Sequence, residues 1–222
     1  MIRRGVVFDF DGVLADSEGL HLAAFQDVLG ARGWTLARAT CFDRYLGYDD
    51  RDLLQAFLAD HDIQLAAAEL DAIVAEKGQK YDKRVQGNNI LFPTAAACVA
   101  RLRGAFALGI ASGSLHEEIT QILRANDLEQ AFEVIVGADD VAQSKPAPDS
   151  YAAAVERLGL RPQDAVAIED SHWGLTAARA AGLRTIGITT SYPRHALRSA
   201  DAVVDSLDEV TPQYVDRVLA RS

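Results

Sequence analysis

The chain has 222 residues, enough for one well-buried core with a smaller body attached, and 49% apolar with 24% charged residues is the balance of a folded globular protein. Its 32 Asp and Glu against 22 Lys and Arg leave a formal charge of −10, which repels nucleic acid unless a basic run overcomes it, and no such run occurs. No apolar stretch approaches the roughly 20 residues of a membrane helix, and Met1-Ile2-Arg3-Arg4 leads into a strand-like segment instead of a signal peptide, so a cytoplasmic protein without a membrane partner is expected.

Gly5–Phe8 is a short apolar run with β-branched residues, the pattern of a strand buried on both faces of a parallel sheet. From about 16 to 87 no strand pattern follows. Helical periodicity occupies 18–32, 38–46, 49–60 and 66–85 instead. In the first of these, Leu20, Phe25, Val28 and Leu29 share one face, and Gly33 reads as its stop. Beyond this block, strands are predicted at 107–111, 132–136, 165–168, 185–188 and 202–204, alternating with helices near 94–103, 115–125, 148–158, 172–181 and 208–220. The alternation predicts an α/β protein: a doubly wound parallel-sheet, Rossmann-like core from 1–15 and 88–222, interrupted by a helical domain at 16–87. Cys41 and Cys98 are widely separated, lack metal-ligand spacing, and are expected to be core thiols.

In an open α/β sheet, ligands bind beyond the carboxyl ends of the strands, so the residues just after each apolar run are the candidates for chemistry. Val7-Phe8-Asp9-Phe10-Asp11-Gly12 places two carboxylates with period-2 spacing at one strand end, where both can face a cation and a substrate. A solvated turn is the bland alternative, but Asp9 directly follows three buried-type residues, where an uncompensated carboxylate is costly. Ala111-Ser112-Gly113-Ser114 opens a helix and offers a hydroxyl and backbone N–H groups to an anion, although serine also serves as an ordinary helix cap. Lys145, in Ser144-Lys145-Pro146-Ala147-Pro148-Asp149, is the sole lysine of the sheet region, since the other three of the four lysines (Lys77, Lys80, Lys83) lie in the helical block. A compact ammonium suits a point contact with phosphate or carboxylate, while a surface lysine before a turn is the alternative. Ile168-Glu169-Asp170-Ser171 then brings two more acids to a strand end. Four carboxylates gathered at one edge repel strongly without a cation, and magnesium, which prefers hard oxygen ligands and accepts a phosphate oxygen among them, fits that need.

These residues resemble a known family. Asp9-Phe10-Asp11-Gly12-Val13, Ser112, Lys145 and Glu169-Asp170 match in order and spacing the four signature motifs of the haloacid dehalogenase superfamily. The helical block after the first motif is similar to the small helical cap of the subgroup containing β-phosphoglucomutase and phosphoglycolate-type phosphatases. The resemblance implies Asp9 as a nucleophile forming an aspartyl-phosphate and Asp11 as the acid and then the base. It implies Mg2+ held by the Asp9 carboxylate, the Asp11 backbone carbonyl and Asp170, with Glu169 as a ligand or an outer partner. Ser112 and Lys145 would bind the phosphoryl oxygens, with Gly113 beside them.

Asp11 sets the chain apart from true dehalogenases, which lack a carboxylate there, and the cap has no early lysine of the kind phosphonoacetaldehyde hydrolases use. The expected reaction is hydrolysis of a small, sugar-like phosphorylated metabolite by a protein that needs no second subunit. A β-phosphoglucomutase-type phosphomutase is the second reading, because His21 and Lys77 resemble that enzyme's cap histidine and lysine, and Arg51 lies near its substrate-binding arginine in imperfect register. A catalytically silent binding module is a third, and the presence of Asp9, Asp11, Lys145 and Asp170 speaks against it. His61, His116, His172 and His195 lack ligand spacing, and Trp34 and Trp173 read as packing residues or pocket rim. Hinges for cap motion are expected near 14–18 and 86–89.

Overall fold

A computed structural model describes residues 3–221. Met1, Ile2 and Ser222, which belong to the expected 1–15 and 88–222 segments, lie outside the described residues. Six strands, β1 (Gly5–Phe8), β2 (Ala107–Ala111), β3 (Val134–Val136), β4 (Ala165–Glu169), β5 (Arg184–Ile188) and β6 (Ala202–Val204), form one sheet in the order β3-β2-β1-β4-β5-β6. Every neighbouring pair is parallel. The chain leaves β1 in both directions across the sheet, and a topological switch point of this kind opens a crevice at the strands' carboxyl ends.

Helices cover both faces, as a parallel sheet requires. Val6 and Phe8 point into a core with α5 (Ala95–Arg103), α6 (His116–Ala125) and α9 (Pro212–Leu219), while Val7 between them points into a core with α7 (Asp149–Arg157) and α8 (His172–Ala180). The expected strand 132–136 is shorter because a 3-10 turn at Glu129–Ala131 delivers Phe132 to the core edge. The expected helix 208–220 divides into a 3-10 turn, Leu207–Glu209, and α9. Pro212 starts α9 because it has no N–H to lose there, and the Thr211 hydroxyl accepts a hydrogen bond from the Tyr214 N–H at 3.2 Å.

Between β1 and α5 run α1 (Glu18–Gly30), α2 (Arg38–Arg44), α3 (Asp50–Asp60) and α4 (Ala67–Val85), matching the four predicted helical stretches. Their apolar faces close on one another: Phe25, Val28, Leu29, Cys41, Leu54, Phe57 and Ile73 belong to a cluster drawn wholly from this insert. Leu20, assigned to that face by periodicity, packs against the sheet-side core instead. It sits in the first turn of α1, where the helix still adjoins the sheet. Helix α1 ends at Gly30, three residues before the expected stop, and Gly33 with φ +77° carries the chain round so that the Trp34 N–H reaches the Leu29 carbonyl at 3.0 Å.

The two passages between insert and sheet run side by side. The Asp16 N–H donates to the Ile90 carbonyl at 2.7 Å and the Phe92 N–H to the Leu14 carbonyl at 2.9 Å. The insert also touches the sheet side through the Tyr192 hydroxyl on the Phe42 carbonyl, the Ser144 hydroxyl on Asp52, and Trp173, against which Gly47 lies so closely that a Cβ there would be 2.2 Å from the Trp173 Cβ. Because the insert cluster is self-contained, Leu54→Ala, which empties a site with 0% exposure, is expected to cost about 3 kcal/mol in urea unfolding.

Candidate active site

Asp9 is the first residue after β1 and Glu169 the last of β4, and the two strands are paired, the Asp9 N–H donating to the Ile168 carbonyl at 2.9 Å. Sheet register therefore sets Asp9, Glu169 and Asp170 side by side, and one carboxylate oxygen from each lies within 4.8 Å of the others. All three are buried. Lys145 sits between them, its Nζ 2.8 Å from Asp9 Oδ1 and 2.7 Å from Glu169 Oε1. Burial opposes the ammonium charge, but the two carboxylates outweigh it and hold the lysine above its ordinary range.

Glu169 is fully partnered: Oε1 accepts from Lys145 and from the Tyr151 hydroxyl at 3.0 Å, and Oε2 from the Ser171 N–H at 3.1 Å and the Ser171 hydroxyl at 2.9 Å. It also lies directly on Gly174 of α8, where a Cβ would come 1.5 Å from Oε1. Glu169 thus anchors Lys145 and the start of α8. Asp170 differs: its Oδ2 is buried with no hydrogen-bond partner. Gly12, at φ +73°, presses against that oxygen so closely that a Cβ would lie 1.9 Å away. An orphaned buried carboxylate oxygen beside two further carboxylates, with oxygen as the donor atom throughout, fits a hard divalent ion. Burial, followed by the Glu169 charge, pushes the Asp170 carboxyl up to about 8, and burial together with Glu169 raises Asp9 against the pull of Lys145.

The Asp11 carboxylate is not part of that trio. It turns toward the insert, where Oδ1 accepts from the Ser17 hydroxyl and lies 3.3 Å from His21 Nε2, and Oδ2 accepts from the Ser114 hydroxyl at 2.7 Å and the Ser112 hydroxyl at 3.1 Å. Burial pushes its carboxyl up, yet His21 and these hydroxyls outweigh burial and hold it well below the usual carboxylate range. Ser17, which precedes α1, gives its hydroxyl to Asp11 and makes no side-chain cap. The expected anion site at the start of α6 is largely taken: the Leu115 N–H donates to Glu118 at 3.2 Å and the His116 N–H to Asp139 at 2.8 Å. Helix α6 begins at His116, one residue later than predicted.

Among the residues expected from the insert, His21 and Lys77 are brought to the site and Arg51 is not. Lys77, fully buried on α4, places Nζ 2.6 Å from His21 Nδ1 and 2.6 and 2.7 Å from the two oxygens of Asp50. Arg51 pairs with Asp71 and lines not the cleft over Asp9 but the adjoining cavity, together with His21, Asp50, Gly113 and Ser114. Gly113 and Glu18 line the cleft between sheet and insert. Glu18, Asp50 and Ser114 were not singled out in the sequence. An acid in the first turn of a helix or a serine just before one is common enough to carry no signal by itself. Cys41 and Cys98 are buried and free, and burial pushes their thiols up to about 12 and about 11. Trp34 packs against Phe57 within the insert, the two rings tilted by 45°. No helix among the described residues is long and apolar enough to cross a membrane.

Residues 6–188 match the model of the haloacid dehalogenase-like hydrolase family, so the chain belongs to that family. It is 33% identical over 207 residues to the protein CbbY of Rhodobacter capsulatus, covering 87% of this chain and 88% of the relative. It is 29% identical over 192 residues to the fructose-1-phosphate phosphatase YqaB of Escherichia coli, covering 83% and 95%. A crystal structure of CbbY from Rhodobacter sphaeroides in complex with xylulose 1,5-bisphosphate superposes with a TM-score of 0.86 at 30% identity, covering 97% of this chain and 99% of that one.

The raised Asp170 carboxyl has a consequence for stability. Its proton is retained in the folded, metal-free protein up to about pH 8, whereas the ordinary value is 3.8, so the stability it contributes is complete below the ordinary value and fades as pH rises through about 8. A cation that takes the proton's place removes this loss. Magnesium is therefore expected to raise the melting temperature more at about pH 8.5 than at about pH 6. An equal shift at both, measured by differential scanning fluorimetry, would contradict the assignment of Asp170 as a ligand.

Proposed function

We propose that this protein is a magnesium-dependent phosphatase that hydrolyses a small, sugar-like phosphate monoester through an aspartyl-phosphate on Asp9. The observation that carries the reading is the juxtaposition of Asp9, Lys145 and the unpartnered oxygen of Asp170 in one buried cluster. Asp9 Oδ attacks phosphorus, an O–P bond forms, and the ester oxygen leaves with a proton from Asp11. Water then attacks the phosphoryl group, Asp11 takes its proton, and phosphate departs as the Asp9 carboxylate is restored. Magnesium held by Asp9, Asp170 and the Asp11 backbone carbonyl, with Glu169 behind them, would supply positive charge at the phosphoryl oxygens.

Ser112 and Ser114 link binding to proton transfer. Each hydroxyl has one proton, which in this structure goes to Asp11. Phosphoryl oxygens that recruit those donors strip Asp11 of them, and its carboxyl then rises toward the protonated state a general acid needs. Lys145, fixed by Glu169, balances charge on the phosphoryl group while lowering repulsion among the acids.

Residues 16–87 act in this reading as a cap that closes over the cleft, with hinges at 14–18 and 86–89. The protein works as a monomer in the cytoplasm, where buried free thiols such as Cys41 and Cys98 stay reduced. The names of the phosphatase relatives support hydrolysis. The phosphomutase reading has one observation in its favour, the contact that runs from Lys77 through His21 to Asp11.

A phosphate-release screen over sugar phosphates, phosphoglycolate and nucleotides, with and without magnesium, separates these readings. Turnover is expected with the metal, and equal rates in chelator would remove the metal from the mechanism. Isomerisation of β-glucose 1-phosphate to glucose 6-phosphate in excess of phosphate release would favour the mutase. Asp9→Asn is expected to lower kcat by more than about 10³-fold while the protein stays folded by circular dichroism. Retained activity would point to another nucleophile.

A further inference from the structure

His21 meets Asp11 from the insert, and its ring is held from the side and from behind. On α1, His21 and Phe25 stand one turn apart, and on α4 so do Lys77 and Tyr81. The two pairs interlock. The Tyr81 ring stacks on the imidazole, with centroids 4.0 Å apart and planes inclined by 24°. The Lys77 Nζ lies over the rings of Phe25 and Tyr81, 5.1 and 5.0 Å from their centroids. Both Lys77 and Tyr81 are buried.

A histidine ring turns about a broad, shallow torsion, so its neighbours decide where its nitrogens point. Lys77 takes one of them. An ammonium has donors only, so Nδ1, 2.6 Å from Nζ, accepts, and the proton of the neutral ring is on Nε2. Nε2 is buried, with Asp11 Oδ1 at 3.3 Å and no aligned hydrogen bond to it. A contact at that margin depends on the plane of the ring, because a modest tilt makes or breaks it. One hydrogen bond at Nδ1 leaves the plane free to tilt, whereas a flat ring stacked on the imidazole face does not. Tyr81 supplies that ring, and its π face also attracts the ammonium that holds Nδ1.

Resting on the phosphatase reading, in which Asp11 is the acid and the base, we propose that Tyr81 is a positioning residue: its ring fixes the plane of His21 so that Nε2 stays directed at the Asp11 carboxyl. The role grows when substrate binds. Once phosphoryl oxygens recruit the hydroxyls of Ser112 and Ser114, Ser17 and His21 are what remains of the contacts that direct Asp11. Tyr81 itself touches no reacting atom. Among the described residues it does not line the cleft over Asp9, and it borders a separate cavity beside the 86–89 passage, with Val85, Glu118 and Ile122. Its loss is therefore expected to slow proton transfer and to leave the phosphoryl site as it is.

Two substrates that differ in their need for a proton test this on the full-length, magnesium-loaded protein. The alkoxide of fructose 1-phosphate must leave with a proton, whereas p-nitrophenyl phosphate releases a stable phenolate without one. Tyr81→Phe, which keeps the stack, is expected to stay within about twofold of wild type on both. Tyr81→Leu and Tyr81→Met keep apolar volume but lose the flat face. They are expected to lower kcat/KM for fructose 1-phosphate by at least about tenfold and for p-nitrophenyl phosphate by less than about threefold. In a His21→Gln background the same changes are expected to cost less than about twofold further. Equal losses on both substrates, or an undiminished loss without His21, overturn the proposal. Nitrogen NMR of the His21 ring, assigned by comparison with His21→Gln, reads the arrangement without turnover. It is expected to show a proton on Nε2 alone in wild type and Tyr81→Phe, and a mixture of tautomers in Tyr81→Leu. A mixture in the wild type, which needs no Tyr81 variant to fold, or an unchanged pattern in Tyr81→Leu, overturns the proposal. Absence of phosphate release from both compounds overturns the phosphatase reading instead, and the NMR comparison still decides the role of Tyr81.

Discussion

Three carboxylates share a buried corner of this sheet with one ammonium, and much of the surrounding structure follows from making that tolerable. Asp9 and Glu169 are forced together by the pairing of β1 with β4. Lys145 is shared between them. Tyr151 and Ser171 occupy the remaining lone pairs of Glu169, and Gly174 and Gly12 give up side chains so that Glu169 and Asp170 fit where they do. What is left over is negative charge and one orphaned oxygen, a site that is incomplete as a purely protein structure. In the proposed reaction a cation would complete it, and a phosphoryl group would extend the same charge pattern outward.

A second network, separate from the first, carries information from the insert. Asp50, Lys77 and His21 form a chain that ends on Asp11, drawing on α3, α4 and α1. His21, which Lys77 contacts from the insert, acts with three serine hydroxyls to hold Asp11 well below the usual carboxylate range. The hydroxyl contacts of Ser144 with Asp52 and of Tyr192 with Phe42, and the packing of Trp173 on Gly47, keep the insert seated while these contacts form.

Asp9, Asp11 and the Glu169-Asp170 pair were visible in the chain because carboxylates at the end of a continuously apolar run are costly unless they have a partner, and Lys145 because it is the sole lysine of the sheet region. The alternating strand and helix patterns gave the sheet for a related reason: a strand buried on both faces cannot hide its apolar character. The shortfalls have equally definite causes. Leu20 shares the periodicity of its helix but lies where that helix leaves the sheet, and periodicity carries no information about which body a face meets. Arg51 and Asp50 are adjacent in sequence, and a helix turns neighbours through about 100°, so Asp50 lines the cleft over Asp9 while Arg51 reaches only the adjoining cavity and pairs with Asp71.

The order of apolar runs and the charges at their ends determined the class of fold and the cluster of acids, because burial is a property each segment declares by itself. The direction of each side chain was decided by tertiary structure. It set Asp11 toward the serines and away from the trio, left Asp170 as the acid with a free oxygen, turned Glu169 into an anchor for Lys145, and tied Lys77 to Asp50. Those outcomes depend on which donors arrive from distant segments, and hydrogen-bonding capacity, unlike hydrophobicity, is satisfied by partners that no local stretch of sequence contains.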